Sequence, residues 1–231
     1  MPLTPYPFER ARDAFLAEYA LLDELAASLG DEQLLLASRC RGWTVGDVLC
    51  HLHIGMEEVL VGFASPTDRS ADTDFASYWR DCCGADADGA LDLGHARFVR
   101  LVASAYARPG ALVGRLRRAM GAARRLTAAA DADRRLDFQE HVLPVGDFLA
   151  TWVVEAAVHH LDLTVELPQA PPPAPASLEV TRNTLDALAG HEAPADWDDA
   201  AYALKGTGRL PLTAADRQAL GPAADRFPLF G

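Results

Sequence analysis

The segment from residue 153 to residue 163, VVEAAVHHLDL, constrains this chain most, because it puts charged groups on an apolar helix. Helical residues step by about 100° each, so residues three or four positions apart share a face. Glu155, His159 and Asp162 therefore lie on one stripe. A helix this apolar buries most of its surface, and buried charges must be paired or must coordinate a metal. The segment thus predicts a buried polar site that a second element has to complete.

Length and composition indicate a folded domain and exclude several classes of function. The chain has 231 residues, of which 50% are hydrophobic and 23% charged, as is usual for a globular protein. Its net charge of −12 argues against a nucleic-acid partner. No apolar run approaches the roughly 20 residues of a membrane span, and the N-terminus has no signal-peptide core. We therefore expect a cytoplasmic protein without a membrane partner.

Apolar residues at helical spacing recur along the chain and predict an all-α protein. The predicted helices of the first part cover residues 7–28, 44–64, 90–106, 111–130 and 144–165. Residues 131–143 are predicted as a turn followed by a connecting segment, without strands. An antiparallel four-helix bundle is the simplest arrangement that buries the apolar stripes of four substantial helices together.

A proline-rich stretch divides the chain into three parts. Residues 1–167 form the predicted bundle, and residues 168–176 form a stiff linker. Residues 177–231 form a small, mainly helical C-terminal segment that we expect to pack on the bundle. Its predicted helices cover residues 177–189, 195–205 and 214–220.

The second helix has a well-specified start and supplies the partner for the charged stripe. Thr44 is a good N-cap, and Asp47 follows three residues later as its capping-box partner. His51 lies one turn further, deep in apolar sequence. Together with Glu155 and His159 it makes a set of two imidazoles and a carboxylate, which is typical of zinc or a similar divalent ion with an open position for water or substrate. A buried hydrogen-bonded network without metal is the alternative that spacing leaves open.

Two motifs together resemble a known family. GWTVGDVLCHL (residues 42–52) and EAAVHHLDL (residues 155–163) are similar to motifs of the mycothiol-dependent maleylpyruvate isomerases, an actinobacterial branch of the DinB-like metalloenzymes. KGTGRLPLTAADRQALG near the C-terminus resembles the tail of many members. The resemblance covers most of residues 8–167. It implies a DinB-like four-helix bundle that binds a divalent metal, zinc or else nickel or another ion, through His51, Glu155 and His159.

The resemblance also implies a reaction. A low-molecular-weight thiol, mycothiol, would occupy the open metal position and attack a small electrophilic substrate, in a transfer or an isomerisation. The characterised isomerases carry a larger mixed α/β C-terminal domain, whereas 55 residues follow the linker here. Two alternatives therefore stay open: a thiol-independent metal-dependent hydrolase, lyase or cyclase, and a non-catalytic bundle that binds a small molecule. The protein is expected to be a monomer or a homodimer.

Further polar residues are candidates for supporting roles. Asp162 is expected either to orient His159 and help move a proton, or to pair with a cation on a neighbouring helix. Arg97 and Arg209 are candidate anchors for an anionic group of a cofactor or substrate. His95 is expected to face either the cavity or the core, and the core is the favoured alternative.

The remaining histidines and the cysteines are given structural roles. His53 and His160 point away from the directions of the predicted ligands beside them, so neither is a candidate ligand. The four cysteines contain no CxxC pair, and we expect free thiols, with Cys50 in the core.

Overall fold

A computed structural model of the protein describes residues 3–82 and 93–230. In these ranges the chain is mostly helical, which confirms the predicted all-α class, and it contains one two-stranded sheet. The helices are α1 (Phe8–Ser28), α2 (Asp31–Leu34), α3 (Val45–Ala64), α4 (Ser77–Cys82), α5 (Leu93–Ser104), α6 (Pro109–Ala128), α7 (Val145–Leu163), α8 (Pro175–Ala189), α9 (Asp199–Gly206) and α10 (Ala214–Leu220). The strands are β1 (Arg135–Phe138) and β2 (His141–Pro144).

The five helices predicted before the linker are all present as α1, α3, α5, α6 and α7. Their ends differ from the predicted ones by about two residues, which is the usual scatter of helix boundaries. Residues 90–92 of the predicted third helix lie outside the described residues. Within the described ranges, no helix combines the length and the apolar character needed to cross a membrane.

The long helices α1, α3, α6 and α7 pack against one another in pairs. Helix α1 packs against α6 and α7, and α3 packs against the same two helices. Helix α7 also contacts α8 and α9 of the C-terminal segment. Nearly every residue of α7 is therefore buried. This explains the continuous apolar sequence around the charged stripe, because a helix with neighbours on all sides has no solvated face.

Glycines let α3 approach α7 closely. A Cβ atom added at Gly62 would lie 2.6 Å from Cζ of Phe148, and one at Gly55 would lie 2.8 Å from Cζ3 of Trp152. Both aromatic side chains are buried. The absence of a side chain at these two positions therefore sets the separation of the two helices, and with it the separation of the side chains that they carry toward each other.

The start of α3 follows the predicted capping box. The Asp47 backbone N–H donates to Thr44 Oγ1 at 3.2 Å, and Asp47 Oδ2 accepts from the Thr44 backbone N–H at 2.9 Å. The two interactions satisfy N–H groups that would otherwise lack partners at a helix start. They fix where α3 begins and hence where His51 lies, two turns further along.

The segment before α7 contains a hairpin that the sequence analysis missed. Strands β1 and β2 pair antiparallel, with Arg135 opposite Pro144 and Phe138 opposite His141. The prediction of a turn and a connecting segment is therefore wrong for residues 135–143, and Pro144, predicted to begin the next helix, ends β2 instead. The two-residue turn is Gln139-Glu140, both with positive φ (49° and 68°). It lacks the Asn or Gly that usually announces such a turn, so the local sequence gave no hairpin signal.

The C-terminal segment packs along one side of the helical core. Helix α8 begins at Pro175, inside the predicted linker, and contacts α1 and α7. Helix α9 begins at Asp199, four residues later than predicted, because Asp198 caps it. Helix α10 has the predicted bounds. Since α9 contacts both α7 and α8, the segment after it is brought back toward the end of α7.

Candidate metal centre

His51 on α3 meets Glu155 and His159 on α7. Nε2 of His51 lies 2.6 Å from Oε1 of Glu155, and Nε2 of His159 lies 3.3 Å from the same oxygen. One ligand atom from each of the three residues lies within 4.8 Å of the other two. Two imidazole nitrogens and one carboxylate oxygen at this spacing suit a single divalent ion. The residues that the sequence singles out from two distant segments are thus brought together.

In both histidines the ring nitrogen that does not face Glu155, Nδ1, lies close to a second polar side chain. Nδ1 of His159 lies 3.0 Å from Oδ2 of Asp162, and Nδ1 of His51 lies 3.1 Å from Nε2 of His95. Histidines that bind metals usually have the other ring nitrogen hydrogen-bonded in this way, which fixes the tautomer and the ring orientation. Each ring therefore directs Nε2 toward Glu155.

The electrostatics of the three residues favour a charged carboxylate between two imidazoles. Burial alone would raise the pKa of the Glu155 carboxyl, but the charge of His159 and the hydrogen bonds from both histidines outweigh it and hold that pKa well below its ordinary value. Burial would lower the pKa of His159, but Glu155 and Asp162 raise it well above its ordinary value. Both shifts have the same cause, a negative Glu155 carboxylate that favours positive charge beside it.

Asp162 connects the site to the C-terminal segment. Its side chain is fully buried, and Nε of Arg209 donates to it at 3.2 Å from Oδ2 and 3.3 Å from Oδ1. Burial alone would raise the pKa of Asp162, but the hydrogen bond from His159 and the charge of Arg209 lower it. The Asp162 carboxylate thus contacts both the His159 imidazole and the guanidinium of Arg209, which lies in the loop after α9 and not on a neighbouring helix.

A cavity of about 1540 Å³ lies over the site. His51 and His159 form part of its wall, and Trp43 and His95 line it beside them. The Trp43 ring lies 5.4 Å from the His51 ring and 6.3 Å from the His95 ring, measured between centroids. The two candidate histidine ligands thus line a space of molecular size, together with His95, which contacts His51.

The sequence profile of the mycothiol maleylpyruvate isomerase N-terminal domain matches residues 15–164 of the chain. The chain belongs to this family. The match spans both motifs on which the resemblance was noted, and it confirms that resemblance. Comparison with curated proteins and with solved structures gave no significant match.

Membership of the mycothiol maleylpyruvate isomerase N-terminal domain family identifies the chain as a DinB-like, metal-associated protein. The matched range contains His51, Glu155, His159 and Asp162, and it ends well before Arg209. Arg209, which pairs with Asp162, therefore lies outside the matched family domain.

His95 and Arg97, for which the sequence predicts a core position and an anion anchor, both line the cavity. His95 was expected in the core, and this is wrong, because it is exposed and faces His51. The apolar spacing of α5 does not distinguish the face toward the core from the face toward a cavity. Arg97 is exposed on the same helix and lines the cavity, where an anion anchor would have to lie.

Cys40 is a site residue that the sequence analysis missed. Its Sγ lies 3.1 Å from Asp162 Oδ2 and 3.7 Å from His159 Nδ1. The Arg39 backbone N–H donates to the Asp162 carbonyl at 3.0 Å and so ties this loop to the end of α7. The one sequence feature that could have indicated Cys40 is its loop, which directly precedes the Thr44 cap. A loop in that position lies at the same end of α3 as His51.

Cys40, His159 and Asp162 form a second group that is close enough to hold an ion. It uses the opposite nitrogen of the same histidine, and Arg209 already neutralises its carboxylate. Glu155 has no arginine or lysine partner among the described residues, so the first group is the better candidate for a cation.

The histidines that were excluded as ligands lie elsewhere. His160 is fully buried against Glu18, at 2.7 Å between Nδ1 and Oε1. His53 is buried on α3, with Nε2 3.7 Å from Glu57. Cys50 is buried as expected, and burial raises the pKa of its thiol to about 11. Cys40 and Cys50 are free thiols, and Cys83 lies outside the described residues.

Proposed function

We propose that His51, Glu155 and His159 bind one divalent metal ion inside an antiparallel bundle formed by α1, α3, α6 and α7. The observation that carries this proposal is the orientation of the two histidines. Each directs Nε2 toward Glu155 and has Nδ1 held by a second polar side chain, as histidines that bind metals commonly do. Zinc suits two nitrogens and one oxygen with an open fourth position, and nickel or a similar ion is the next choice.

The reaction that we propose is transfer of a low-molecular-weight thiol to a small electrophile, or isomerisation of such a substrate through the thiol. A divalent metal at these residues would lower the pKa of a coordinated thiol and keep it as the nucleophilic thiolate. The family to which the chain belongs favours mycothiol as the thiol. The cavity of about 1540 Å³ supports a reaction of two molecules, since pockets for one small ligand measure about 300–1,000 Å³.

Within this proposal the protein residues orient and position the reactants. Glu155 supplies the negative charge of the ligand set, and the two imidazoles fix its geometry. Asp162 is fully buried and lies behind His159, so we assign it a positioning role and not a proton transfer to substrate. Arg209 holds the Asp162 carboxylate in that position and thereby links the C-terminal segment to the ligand set.

The metal assignment is tested by replacing one candidate ligand. The variant His51→Ala removes one of three protein ligands, so metal content after purification is expected to fall by about tenfold or more. Elemental mass spectrometry measures this directly. The matched control is His191→Ala, because His191 is an exposed histidine whose only described hydrogen bond is to the Glu192 carbonyl. Full metal occupancy in His51→Ala would contradict the assignment.

The thiol assignment needs a separate experiment on the metal-loaded protein. We expect native mass spectrometry to detect an adduct with mycothiol, and we expect conversion of maleylpyruvate or a similar electrophile only when the thiol is added. Conversion that proceeds without thiol would instead favour the thiol-independent hydrolase or lyase. A metal-free protein whose melting temperature ignores chelators would favour the non-catalytic binding bundle.

A further inference from the structure

Four arginines that carry no carboxylate partner among the described residues line the cavity, and we call them the arginine rim. Arg39 and Arg41 belong to the loop before α3, and Arg97 and Arg100 belong to α5. The two on α5 are three positions apart and therefore share a helix face. Within residues 3–82 and 93–230, none of the four forms an ion pair with a carboxylate, and Arg41, Arg97 and Arg100 are exposed.

The rim is unusual in a protein of this charge. The chain has 33 acidic and 21 basic residues, apart from histidine. Yet the described lining of the cavity contains the four arginines of the rim, Arg209, which is paired with Asp162, and one carboxylate, that of Asp47. Asp47 is already engaged by Thr44 at the start of α3. Charges of one sign in a cleft raise the local concentration of ligands of the opposite sign. The lining therefore selects for an anion.

Arg39 gives an independent indication. Its Nε atom is buried and has no hydrogen-bond partner in the part of the chain that the structure describes. A buried charged donor without a partner costs free energy, and such groups in native proteins usually have a partner in the functional state. A ligand oxygen at the rim would supply that partner.

We infer that the arginine rim binds a phosphoryl group at the far end of the ligand. Several guanidinium groups from two elements need an anion with several acceptor oxygens. A phosphate monoester carries about −1.5 to −2 charges and three such oxygens on one atom, and it accepts paired hydrogen bonds from arginine. The inference rests on the proposed function only in placing the reactive end of that ligand at His51, Glu155 and His159. It names a phosphorylated thiol or a phosphorylated electrophile as the ligand class.

The test measures binding of inorganic phosphate to the full-length protein by calorimetry, with succinate as a dianion of similar charge. We expect phosphate to bind with a Kd about tenfold lower than that of succinate, and we expect the binding to weaken as salt is added. The double variant Arg97→Gln/Arg100→Gln should raise the phosphate Kd by about tenfold or more. Arg41→Gln alone should raise it by a smaller factor. Arg10→Gln, an exposed arginine away from the cavity that pairs with Glu179, should leave it unchanged.

Three results would overturn the inference: equal binding of succinate, an unchanged Kd in the double variant, or phosphate binding that disappears in His51→Ala but persists in Arg97→Gln/Arg100→Gln. The last would locate the anion at the metal ligands. Circular dichroism of each variant verifies that it is folded. If wild-type protein contains no metal, the proposed function fails, but phosphate binding at the rim is still decided by the arginine variants.

Discussion

His159 connects the candidate ligand Glu155 to the buried pair formed by Asp162 and Arg209. Its Nε2 faces Glu155, and its Nδ1 faces Asp162, which in turn accepts from Arg209. A shift of Arg209 would therefore reach Glu155 through two hydrogen bonds, one imidazole ring and the 3.3 Å contact between His159 Nε2 and Glu155 Oε1. In the proposed metal site, the C-terminal segment would act on the orientation of His159 through the Arg209–Asp162 pair, because the orientation of a ligating histidine depends on the partner of its second ring nitrogen.

Asp147 is a buried carboxyl whose charge costs stability. Its Oδ1 accepts from the backbone N–H groups of Tyr6 at 3.0 Å and Phe75 at 2.9 Å, while Oδ2 has no hydrogen-bond partner among the described residues. Burial is the largest cause that raises its pKa from 3.8 to about 6. The folded protein thus binds this proton more tightly than the unfolded chain, and the contribution to stability falls as pH rises through that interval.

The variant Asp147→Asn should keep both hydrogen bonds to Oδ1 and abolish the titration. Above about pH 6 we expect it to be more stable than wild type by up to about 3 kcal/mol, with the difference shrinking toward pH 4. Urea denaturation of both proteins at several pH values measures this. The control Asp225→Asn replaces an exposed aspartate and should show no such trend. A difference that does not change with pH would contradict the account.

At the scale of the elements, the contact between α3 and α7 depends on Gly62. A methyl group there would lie 2.6 Å from Cζ and 2.7 Å from Cε2 of Phe148, whose ring is fully buried. We expect Gly62→Ala to destabilise the protein by about 1–3 kcal/mol, because the overpacked ring has to move or the helices have to separate. Chemical denaturation gives the change, and metal content reports whether His51 still reaches Glu155.

Gly114 on α6 provides the matched control for this prediction. It is also inside a helix, but it is exposed, and no atom of the described residues lies within 4 Å of a Cβ added there, apart from its chain neighbours and the backbone of its own helix. Gly114→Ala should therefore stabilise the protein by about 0.5–1 kcal/mol, through helix propensity alone. If both variants changed stability in the same direction, close approach of α3 and α7 would not explain the glycine at position 62.

The elements that the sequence predicts are those whose signals are local. The Thr44–Asp47 capping box fixes the start of α3 within four residues of sequence, and the prediction is confirmed. The hairpin at residues 135–144 has no such signal, because Gln139-Glu140 adopts positive φ only in the folded context. The strands are held there by pairing with each other and by bonds such as that from the Thr67 N–H to the Arg135 carbonyl, which no local pattern reveals.

In the candidate site, too, residues with a signal in the sequence can be predicted, and residues without one cannot. His51, Glu155 and His159 can be found from the sequence because charge on an apolar helix demands a partner. Cys40 cannot, since its place depends on how a loop closes onto the end of α7. His95 was assigned to the wrong face for a related reason: the cavity beside α5 exists only after the loop before α3 and the segment around Arg209 have met.

At the scale of the whole molecule, a buried pair joins the N-terminal helix α1 to α7 and to the segment before α8. Nδ1 of His160 on α7 lies 2.7 Å from Oε1 of Glu18 on α1, and both side chains are fully buried. Oε2 of Glu18 accepts from the Ala174 N–H at 2.8 Å, and Nε2 of His160 lies 3.0 Å from the Pro171 carbonyl. The pair therefore links α1, α7 and the segment that leads into α8.

This arrangement predicts strong coupling between the two residues. Either single variant, Glu18→Leu or His160→Leu, leaves a buried polar partner unsatisfied and should cost about 3–5 kcal/mol. The double variant should cost less than the sum of the two by about 1 kcal/mol or more, although the Ala174 N–H still lacks its acceptor. A double-mutant cycle by urea denaturation measures the difference. The exposed pair of Arg10 and Glu179, which also joins α1 to α8, is the control cycle and should couple by less than about 1 kcal/mol. Equal coupling in the two cycles would mean that the buried pair does not hold the C-terminal segment in place.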